Sequence, residues 1–268
     1  MNTEIMIQRL RNVIKSYDNC AVAVSGGVDS MTLAILAHRM LPNHVTIYHA
    51  ISAAVPGDAQ ERIKRYADRE QWRINFINAG ELKDENYLKN PVNRCYYCKS
   101  CLYSSISKLT TVAIFSGTNM DDLADYRPGL EAAREHHVIH PFVEANIDKR
   151  GIRAIAQSLG INELAELPAS PCLSSRIETG IAINNDDLKF VDRVETSLRY
   201  YLPEKIDVRC RIRPREIEIQ LNEPSSKYTD GVKKTELLNY LYQAIPEINQ
   251  MAVQIRPYRK GSSFIHVD

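Results

Sequence analysis

The stretch that decides the fold is residues 21–31, Ala-Val-Ala-Val-Ser-Gly-Gly-Val-Asp-Ser-Met. Its first part, 21–24, is apolar and rich in valine, which predicts a short buried strand. Residues from Met31 to Met40 have the pattern of a helix. A strand that turns through two glycines into a helix start is a ready site for an anion. The sequence therefore predicts a strand, a phosphate-binding loop and a helix in succession.

Gly26 and Gly27 allow the backbone of this loop to approach a phosphate, and Ser25 and Ser30 add donors beside the first helical N–H groups. The loop lacks the Gly-Lys-Ser/Thr ending of a Walker A motif. It resembles the pyrophosphate loop of the ATP-pyrophosphatase (PP-loop) superfamily, whose members split ATP between the α and β phosphates. The alternative is a glycine-rich turn that binds no ligand. The resemblance implies that the chain uses ATP.

Apolar, β-rich runs alternate with helical patterns through the first two-thirds of the chain. The predicted strands lie near residues 20–24, 44–50, 73–78 and 112–116. The predicted helices lie near residues 30–40, 58–70, 97–108 and 149–159. This alternation predicts an α/β fold with a parallel sheet flanked by helices (PP-loop or HUP-like), which binds ligands at the carboxyl ends of the strands. Ser25 and Gly117 would both lie at such ends.

A different pattern follows the proline-containing stretch 167–171. The predicted elements are a helix near 186–200, strands near 205–213 and 215–222, a helix near 233–243 and a strand near 250–257. We therefore expect a PP-loop domain over residues 1–175. A smaller α+β domain over residues 176–268 would bind substrate or mediate oligomerisation.

The composition excludes some classes of protein. Of 268 residues, 34 are Lys or Arg and 33 are Asp or Glu, so the chain lacks the excess of basic residues typical of nucleic-acid binding. Residues 1–18 lack the features of a secretory signal, and no apolar run is long enough to span a membrane. We expect a cytoplasmic protein that binds neither membrane nor nucleic acid. Because the cytoplasm is reducing, the six cysteines are better explained as thiols or metal ligands than as disulfides.

Four cysteines are candidate ligands. Cys95, Cys98 and Cys101 are spaced three apart at a predicted helix start, where thiolates can face a common point and the helix N-terminus favours deprotonation. Cys172 lies in a predicted loop. An iron–sulfur cluster and a four-thiolate zinc site are the competing metal centres. The alternative is a set of thiols without a metal, with Cys101 packed under the helix.

The acidic segment 116–129 follows a predicted strand. Asp121, Asp122 and Asp125 could hold Mg²⁺ against a triphosphate, and Arg127 could contact a phosphate or orient an acid. The alternative is a solvated loop with an aspartate helix cap. The nearby pyrophosphate loop favours the functional interpretation.

Arg209, Arg211 and Arg213 alternate with apolar residues, so on a strand their guanidinium groups would share one face. Such a row could bind phosphate or carboxylate, or it could pair with acids across the sheet. The alternative is a solvated face. Three histidines lack the spacing of metal ligands, and we predict a surface position for them: His136, His137 and His140.

Four motifs together resemble one PP-loop family, the LarE-type sulfur transferases that act in making the nickel-pincer nucleotide. The motifs are Ser-Gly-Gly-Val-Asp-Ser (25–30), Asn-Arg-Cys-Tyr-Tyr-Cys-Lys (93–99), Gly-Thr-Asn-x-Asp-Asp-Leu-x-Asp-Tyr-Arg-Pro-Gly (117–129) and Pro-Ala-Ser-Pro-Cys-Leu-Ser-Ser-Arg (168–176). The resemblance covers most of the chain.

The resemblance implies a two-step reaction. A carboxylate of a pyridinium-dicarboxylate mononucleotide attacks the α-phosphate of Mg²⁺-bound ATP, and sulfur then displaces AMP to leave a thiocarboxylate. Two sulfur sources occur in the family. Either Cys172 gives up its own sulfur, or a [4Fe-4S] cluster on Cys95, Cys98 and Cys172 hands over exogenous sulfide. The presence of all three cysteines favours the cluster. Cys101 lies outside the family pattern, as a spare thiol or an alternative ligand.

The resemblance also implies roles for individual residues and for the assembly. The catalytic residues would be Cys172, Asp29 and Arg127. The ATP site would consist of Ser25, Gly26, Gly27, Asp29, Ser30, Gly117 and Asp122. The phosphate of the nucleotide substrate would be bound by Arg176, Arg209 and Arg211. Family members form hexamers, so we expect a homo-oligomer.

Three other functions compete with this one. A PP-loop tRNA thiolase carries the same kind of cluster, but the near-neutral charge balance argues against tRNA binding. An ATP-dependent ligase that uses ammonia would give the cysteines no task. A zinc-stabilised scaffold that senses adenine nucleotide would release no pyrophosphate.

Overall fold

The computed structural model describes residues 2–169, 171–222, 226–259 and 261–263. Contacts divide these residues into two compact units, the first from residues 1–81 and 93–170 and the second from residues 82–92 and 171–268. The domains expected from the sequence, 1–175 and 176–268, stay a prediction. Within the described ranges, no helix is both long and apolar enough to cross a bilayer.

The strands along the chain are β1 (Cys20–Ala23), β2 (Val45–Ala50), β3 (Ile74–Ile77), β4 (Ala113–Phe115), β5 (Val208–Ile212), β6 (Glu216–Leu221) and β7 (Ala252–Pro257). The helices are α1 (Thr3–Lys15), α2 (Val28–Met40), α3 (Gly57–Glu70), α4 (Glu85–Leu88), α5 (Arg94–Ser107), α6 (Pro128–Glu135), α7 (Pro141–Glu144), α8 (Lys149–Ser158), α9 (Asn162–Ala165), α10 (Asn185–Tyr201) and α11 (Gly231–Ala244). Short 3-10 turns cover Glu81–Lys83, Met120–Leu123, Leu173–Arg176, Ser226–Tyr228 and Pro246–Gln250.

The first unit contains a parallel sheet in the order β3-β2-β1-β4. Side chains alternate across it, as the two-residue period of a strand requires. Val22 joins a core with residues of α1, α2 and α8, whereas Ala21 and Ala23 join a core on the other face with residues of α5 and α6. Both faces are therefore covered by helices, as parallel sheets require. This confirms the predicted α/β class.

The second unit contains a mixed sheet in which β5 and β6 are antiparallel and β6 and β7 are parallel. Helix α11 lies in the crossover between the two parallel strands. Segment 82–92 joins this unit through Asn90, whose Nδ2 donates to the carbonyl oxygens of Glu178 and Ile181, each at 2.9 Å. The predicted fold class, with a smaller α+β part towards the C-terminus, is confirmed.

Candidate active site

The glycine loop connects β1 to α2. Gly26 has a φ of +80°, which only glycine adopts without strain, and Gly27 caps α2. Ser30 Oγ lies 3.1 Å from both the backbone N and the Oγ of Ser25. These bonds hold the loop in a turn around the amino end of α2, where free N–H groups and the helix dipole favour an anion.

Two other segments pack tightly on this loop. A Cβ on Gly26 would lie 2.9 Å from Cβ of Ala59, so α3 touches the loop directly. A Cβ on Gly117 would lie 2.6 Å from the backbone N of Ser30. The structure therefore brings the turn after β4 against the start of α2.

Asp29 is in the first turn of α2, and its Oδ2 accepts from Lys149 Nζ at 2.5 Å. Its Oδ1 is buried and has no hydrogen-bond partner in the described part of the chain. Burial raises the pKa of Asp29, although Lys149 opposes that effect. The carboxylate thus has an unused acceptor beside the loop.

Lys149 was missed by the sequence analysis. It lies in the first turn of α8, and its backbone N donates to Asp121 Oδ2 at 3.1 Å. A lysine at this position opposes the helix dipole. That mismatch is the sequence signal that could have marked Lys149 as functional.

The acidic segment has partners of its own. Asp122 Oδ2 accepts from the backbone N of Asn119 at 3.1 Å, while its Oδ1 lies 2.8 Å from Arg127. Arg127 also reaches Asp125 at 3.4 Å. Among the described residues, no three histidine, cysteine, aspartate or glutamate side chains form a group that could hold a metal ion. The interpretation in which Asp121, Asp122 and Asp125 hold Mg²⁺ together gains no support from this arrangement.

Cys95 and Cys98 lie one helical turn apart at the amino end of α5, where both are half-buried. Cys101 follows one turn further along. Cys172 is exposed and belongs to the second unit. Thiolates are the donors that iron–sulfur clusters take. In the described part of the chain, however, these cysteines form no group of three that could hold a metal ion, so the cluster on Cys95, Cys98 and Cys172 stays a prediction.

Arg176 supports the segment that carries Cys172. It forms a two-fold ion pair with Glu195 at 2.8 and 3.0 Å, and both side chains are almost fully buried. Its NH1 donates to the carbonyl oxygen of Pro171 at 2.8 Å and to that of Cys172 at 3.3 Å. Through these contacts, the buried Arg176 holds the backbone of residues 171–172 in place. The phosphate-binding role predicted for Arg176 stays a prediction.

The arginine row lies on β5, as predicted, but the solvated-face interpretation is wrong because Arg209 and Arg211 are buried. Burial lowers the pKa of Arg211, and the positive charges of Arg176 and Arg213 lower it further, to about 10. Burial also lowers the pKa of Arg209, and Arg176 adds to that effect. Buried guanidinium groups that repel one another are stabilised by a bound anion.

Arg213 differs from the other two arginines of the row. It pairs with Glu178 at 2.8 Å and with Glu218 at 3.0 Å, so its charge is compensated within the second unit. The phosphate-binding role predicted for Arg209 and Arg211 stays a prediction.

Of the three histidines predicted to lie at the surface, His137 is exposed, whereas His136 and His140 are half-buried. His140 is half-buried, and its Nδ1 lies 2.8 Å from Ser116 Oγ. Another histidine that the sequence analysis missed, His49, is fully buried and bonds Val24 O through Nδ1 at 2.9 Å.

Comparison with known proteins gives three relatives, and no model of a protein family matches the chain. An uncharacterized protein of Synechocystis is 36% identical over 203 residues, which are 73% of this chain and 74% of the relative. An uncharacterized protein of Methanocaldococcus jannaschii is 31% identical over 212 residues, or 76% and 79% of the two chains. The pyridinium-3,5-bisthiocarboxylic acid mononucleotide synthase of Lactiplantibacillus plantarum is 28% identical over 191 residues, 69% of each chain.

A parallel sheet whose first strand turns through a Ser-Gly-Gly-Val-Asp-Ser loop into a helix is the PP-loop type of α/β fold. Within that class, the chain belongs to the LarE-type family.

Proposed function

We propose that this chain is an ATP-dependent sulfur transferase that converts a carboxylate of a pyridinium-dicarboxylate mononucleotide into a thiocarboxylate, in nickel-pincer nucleotide biosynthesis. The observation that carries the proposal is the Ser25–Ser30 loop, closed against Gly117 at the amino end of α2. The likeness to the named synthase supplies the substrate class. We further propose that the protein acts as a cytoplasmic homo-oligomer.

In the adenylation step, the loop binds the β and γ phosphates of ATP. Its N–H groups and the α2 dipole stabilise the charge that develops as pyrophosphate leaves. Lys149 adds a positive charge 2.5 Å from Asp29. Asp122, whose Oδ1 lies 2.8 Å from Arg127, would help to hold Mg²⁺ on the phosphates of ATP, and the metal would supply positive charge for the leaving pyrophosphate. Adenylation turns a poor leaving oxygen into a good one.

In the thiolation step, sulfur displaces AMP. We propose Cys95, Cys98 and Cys172 as ligands of a [4Fe-4S] cluster, which when bound would supply an open iron site for exogenous sulfide. The alternative is direct transfer of the Cys172 sulfur, for which the exposure of Cys172 gives access. We propose that the second unit binds the substrate phosphate through Arg209 and Arg211, two buried cations on the same strand.

The proposal is tested by incubating the protein with pyridinium-3,5-dicarboxylic acid mononucleotide, Mg²⁺-ATP and sodium sulfide without oxygen. Mass spectrometry should detect a product in which sulfur replaces one carboxylate oxygen. The Asp29→Ala and Ser30→Ala variants should form none while keeping their circular dichroism spectra. A wild-type protein that forms no thiocarboxylate, or active variants, would contradict the proposal.

The sulfur source is decided by the mass of the chain after turnover. If Cys172 is the donor, the chain loses the mass of H₂S and stops after one turnover. If a cluster delivers sulfide, the mass is unchanged, and Cys95→Ser or Cys98→Ser removes bound iron. Cys101→Ser is the matched control, because Cys101 is on the same helix but outside the proposed ligand set.

A further inference from the structure

His140 lies at the edge of the sheet where ligands bind. Ile139 forms a parallel bridge to Phe115, with Ser116 N donating to Ile139 O at 3.0 Å and Ile139 N donating to Ile114 O at 2.8 Å. The chain therefore runs beside β4 for one residue, and His140 is the first residue beyond it. That position corresponds to the carboxyl end of a strand, next to Ser116 and the loop-contacting Gly117.

The imidazole is held by a chain of hydroxyl groups. Nδ1 of His140 lies 2.8 Å from Ser116 Oγ, which lies 3.0 Å from Thr118 Oγ1. In the tautomer that protonates Nδ1, this nitrogen donates to Ser116 and Ser116 donates to Thr118. Nε2 then carries the lone pair and can accept a proton.

The charged groups that act on His140 come from two directions. Lys99 is on α5, one residue after Cys98, and Asp122 is in the turn after Gly117. Burial lowers the pKa of His140, Lys99 adds to this, and Asp122 opposes it. The ring is therefore neutral at neutral pH, which is the form that a general base requires. Of these two neighbours, Lys99 belongs to the helix that carries Cys95 and Cys98, and Asp122 belongs to the turn after Gly117.

We propose that His140 is the general base of the thiolation step, an inference that rests on the proposed function. As the sulfur of hydrogen sulfide attacks the carbonyl carbon of the acyl-adenylate, the C–S bond forms and the C–O bond to AMP breaks. AMP leaves with that electron pair, and the S–H proton passes to Nε2 of His140. Nothing is oxidised or reduced. When Nδ1–H donates to Ser116 Oγ, Nε2 is the nitrogen that accepts this proton.

The test separates the two half-reactions in the full-length protein. ATP–pyrophosphate exchange with pyridinium-3,5-dicarboxylic acid mononucleotide, without sulfide, reports adenylation. Thiocarboxylate formation after sodium sulfide is added reports thiolation. His140→Gln should leave exchange within about twofold of wild type and slow thiolation by about 100-fold, the usual contribution of a general base. His44→Gln, a variant of an exposed histidine, should change neither rate.

Two readouts distinguish a base from a structural residue. Compared at equal concentrations of undissociated H₂S, the thiolation rate of wild type should fall on the acid side of the pH profile, and this fall should be absent in His140→Gln. In NMR spectra of protein with ¹³C-labelled histidine, Ser116→Ala should shift the His140 titration. Unchanged thiolation in His140→Gln, or loss of exchange in the same variant, would overturn the inference alone. Absence of exchange in the wild type would overturn the proposed function as well.

Discussion

Lys149 Nζ lies 2.5 Å from Asp29 Oδ2 and so connects the first turn of α8 with the first turn of α2. The two residues are 120 positions apart in the chain. Their contact puts a lysine ammonium beside the amino end of α2, which is itself electropositive. Under the proposed function, a triphosphate bound there would meet both charges. The buried Oδ1 of Asp29, which has no hydrogen-bond partner among the described residues, would remain available as an acceptor.

Asp29→Asn should stabilise the protein and abolish ATP cleavage. Burial raises the pKa of Asp29. The folded state therefore binds the carboxyl proton of Asp29 more tightly than the unfolded state does, where the pKa is about 3.9. The wild type therefore loses stability as pH rises through the native pKa of Asp29. In urea denaturation, the stability advantage of Asp29→Asn should grow between pH 4 and pH 7. Asp68→Asn, at an exposed position of α3, is the control. An equal stability advantage of Asp29→Asn at both pH values would contradict the prediction.

Gly117→Ala should disrupt the loop. The new Cβ would lie 2.6 Å from the backbone N of Ser30, and a backbone atom cannot move aside as a side chain can. We expect this variant to form no AMP from ATP, as measured by chromatography. Its free energy of unfolding should fall by about 1–3 kcal/mol.

Gly160→Ala provides the control for backbone strain. Gly160 has a φ of +74° and open space around its Cβ position. This variant should be destabilised by about 1–2 kcal/mol and still form AMP. Equal activity of the two variants would show that the contact of Gly117 with Ser30 is unimportant.

Glu195→Ala should unfold the second unit more easily and misplace Cys172. Glu195 pairs with buried Arg176 and also accepts from the backbone N of Cys210 at 2.9 Å. Removing one member of a buried ion pair costs about 3–5 kcal/mol. Chemical denaturation measures the loss. Arg199→Ala removes the half-exposed partner of the same carboxylate, so it should cost less than about 1 kcal/mol. A similar loss of unfolding free energy in both variants would contradict a stabilising role for the buried pair of Arg176 and Glu195.

Arg211→Gln should weaken binding of the substrate phosphate. Ribose 5-phosphate is a suitable probe, because it carries the sugar phosphate without an adenine ring. Calorimetric titration should show a loss of about 1.5–3 kcal/mol in binding free energy, as for a hydrogen bond to a charged group. Arg215→Gln, at an exposed position of the same unit, should bind as the wild type does. Unaltered binding by Arg211→Gln would rule out this site.

Elements with local signals could be predicted from the sequence. The apolar run of β1, the two glycines and the start of α2 lie within 20 residues, and each has a characteristic residue pattern. The alternation of β5 likewise predicted its strand. Its burial was not predictable, because Arg211 is covered by Ser263 and by the carbonyl oxygen of Arg259, far along the chain.

Contacts that depend on sheet order were missed for a related reason. Lys149 reaches Asp29 only after α8 packs on α2, which no local pattern encodes. His140 follows a single-residue bridge at Ile139, too short to give the alternation of a strand. The bridge places His140 at the edge of the sheet, where its side chain is half-buried and not exposed as predicted.

The proposed function requires the Ser25–Ser30 loop to bind the outer phosphates while the bond between the α and β phosphates breaks. This is tested by identifying the products from ATP labelled separately at the α and γ phosphates, with pyridinium-3,5-dicarboxylic acid mononucleotide present. We expect AMP and pyrophosphate in equal amounts. Production of ADP and inorganic phosphate would contradict cleavage between the α and β phosphates.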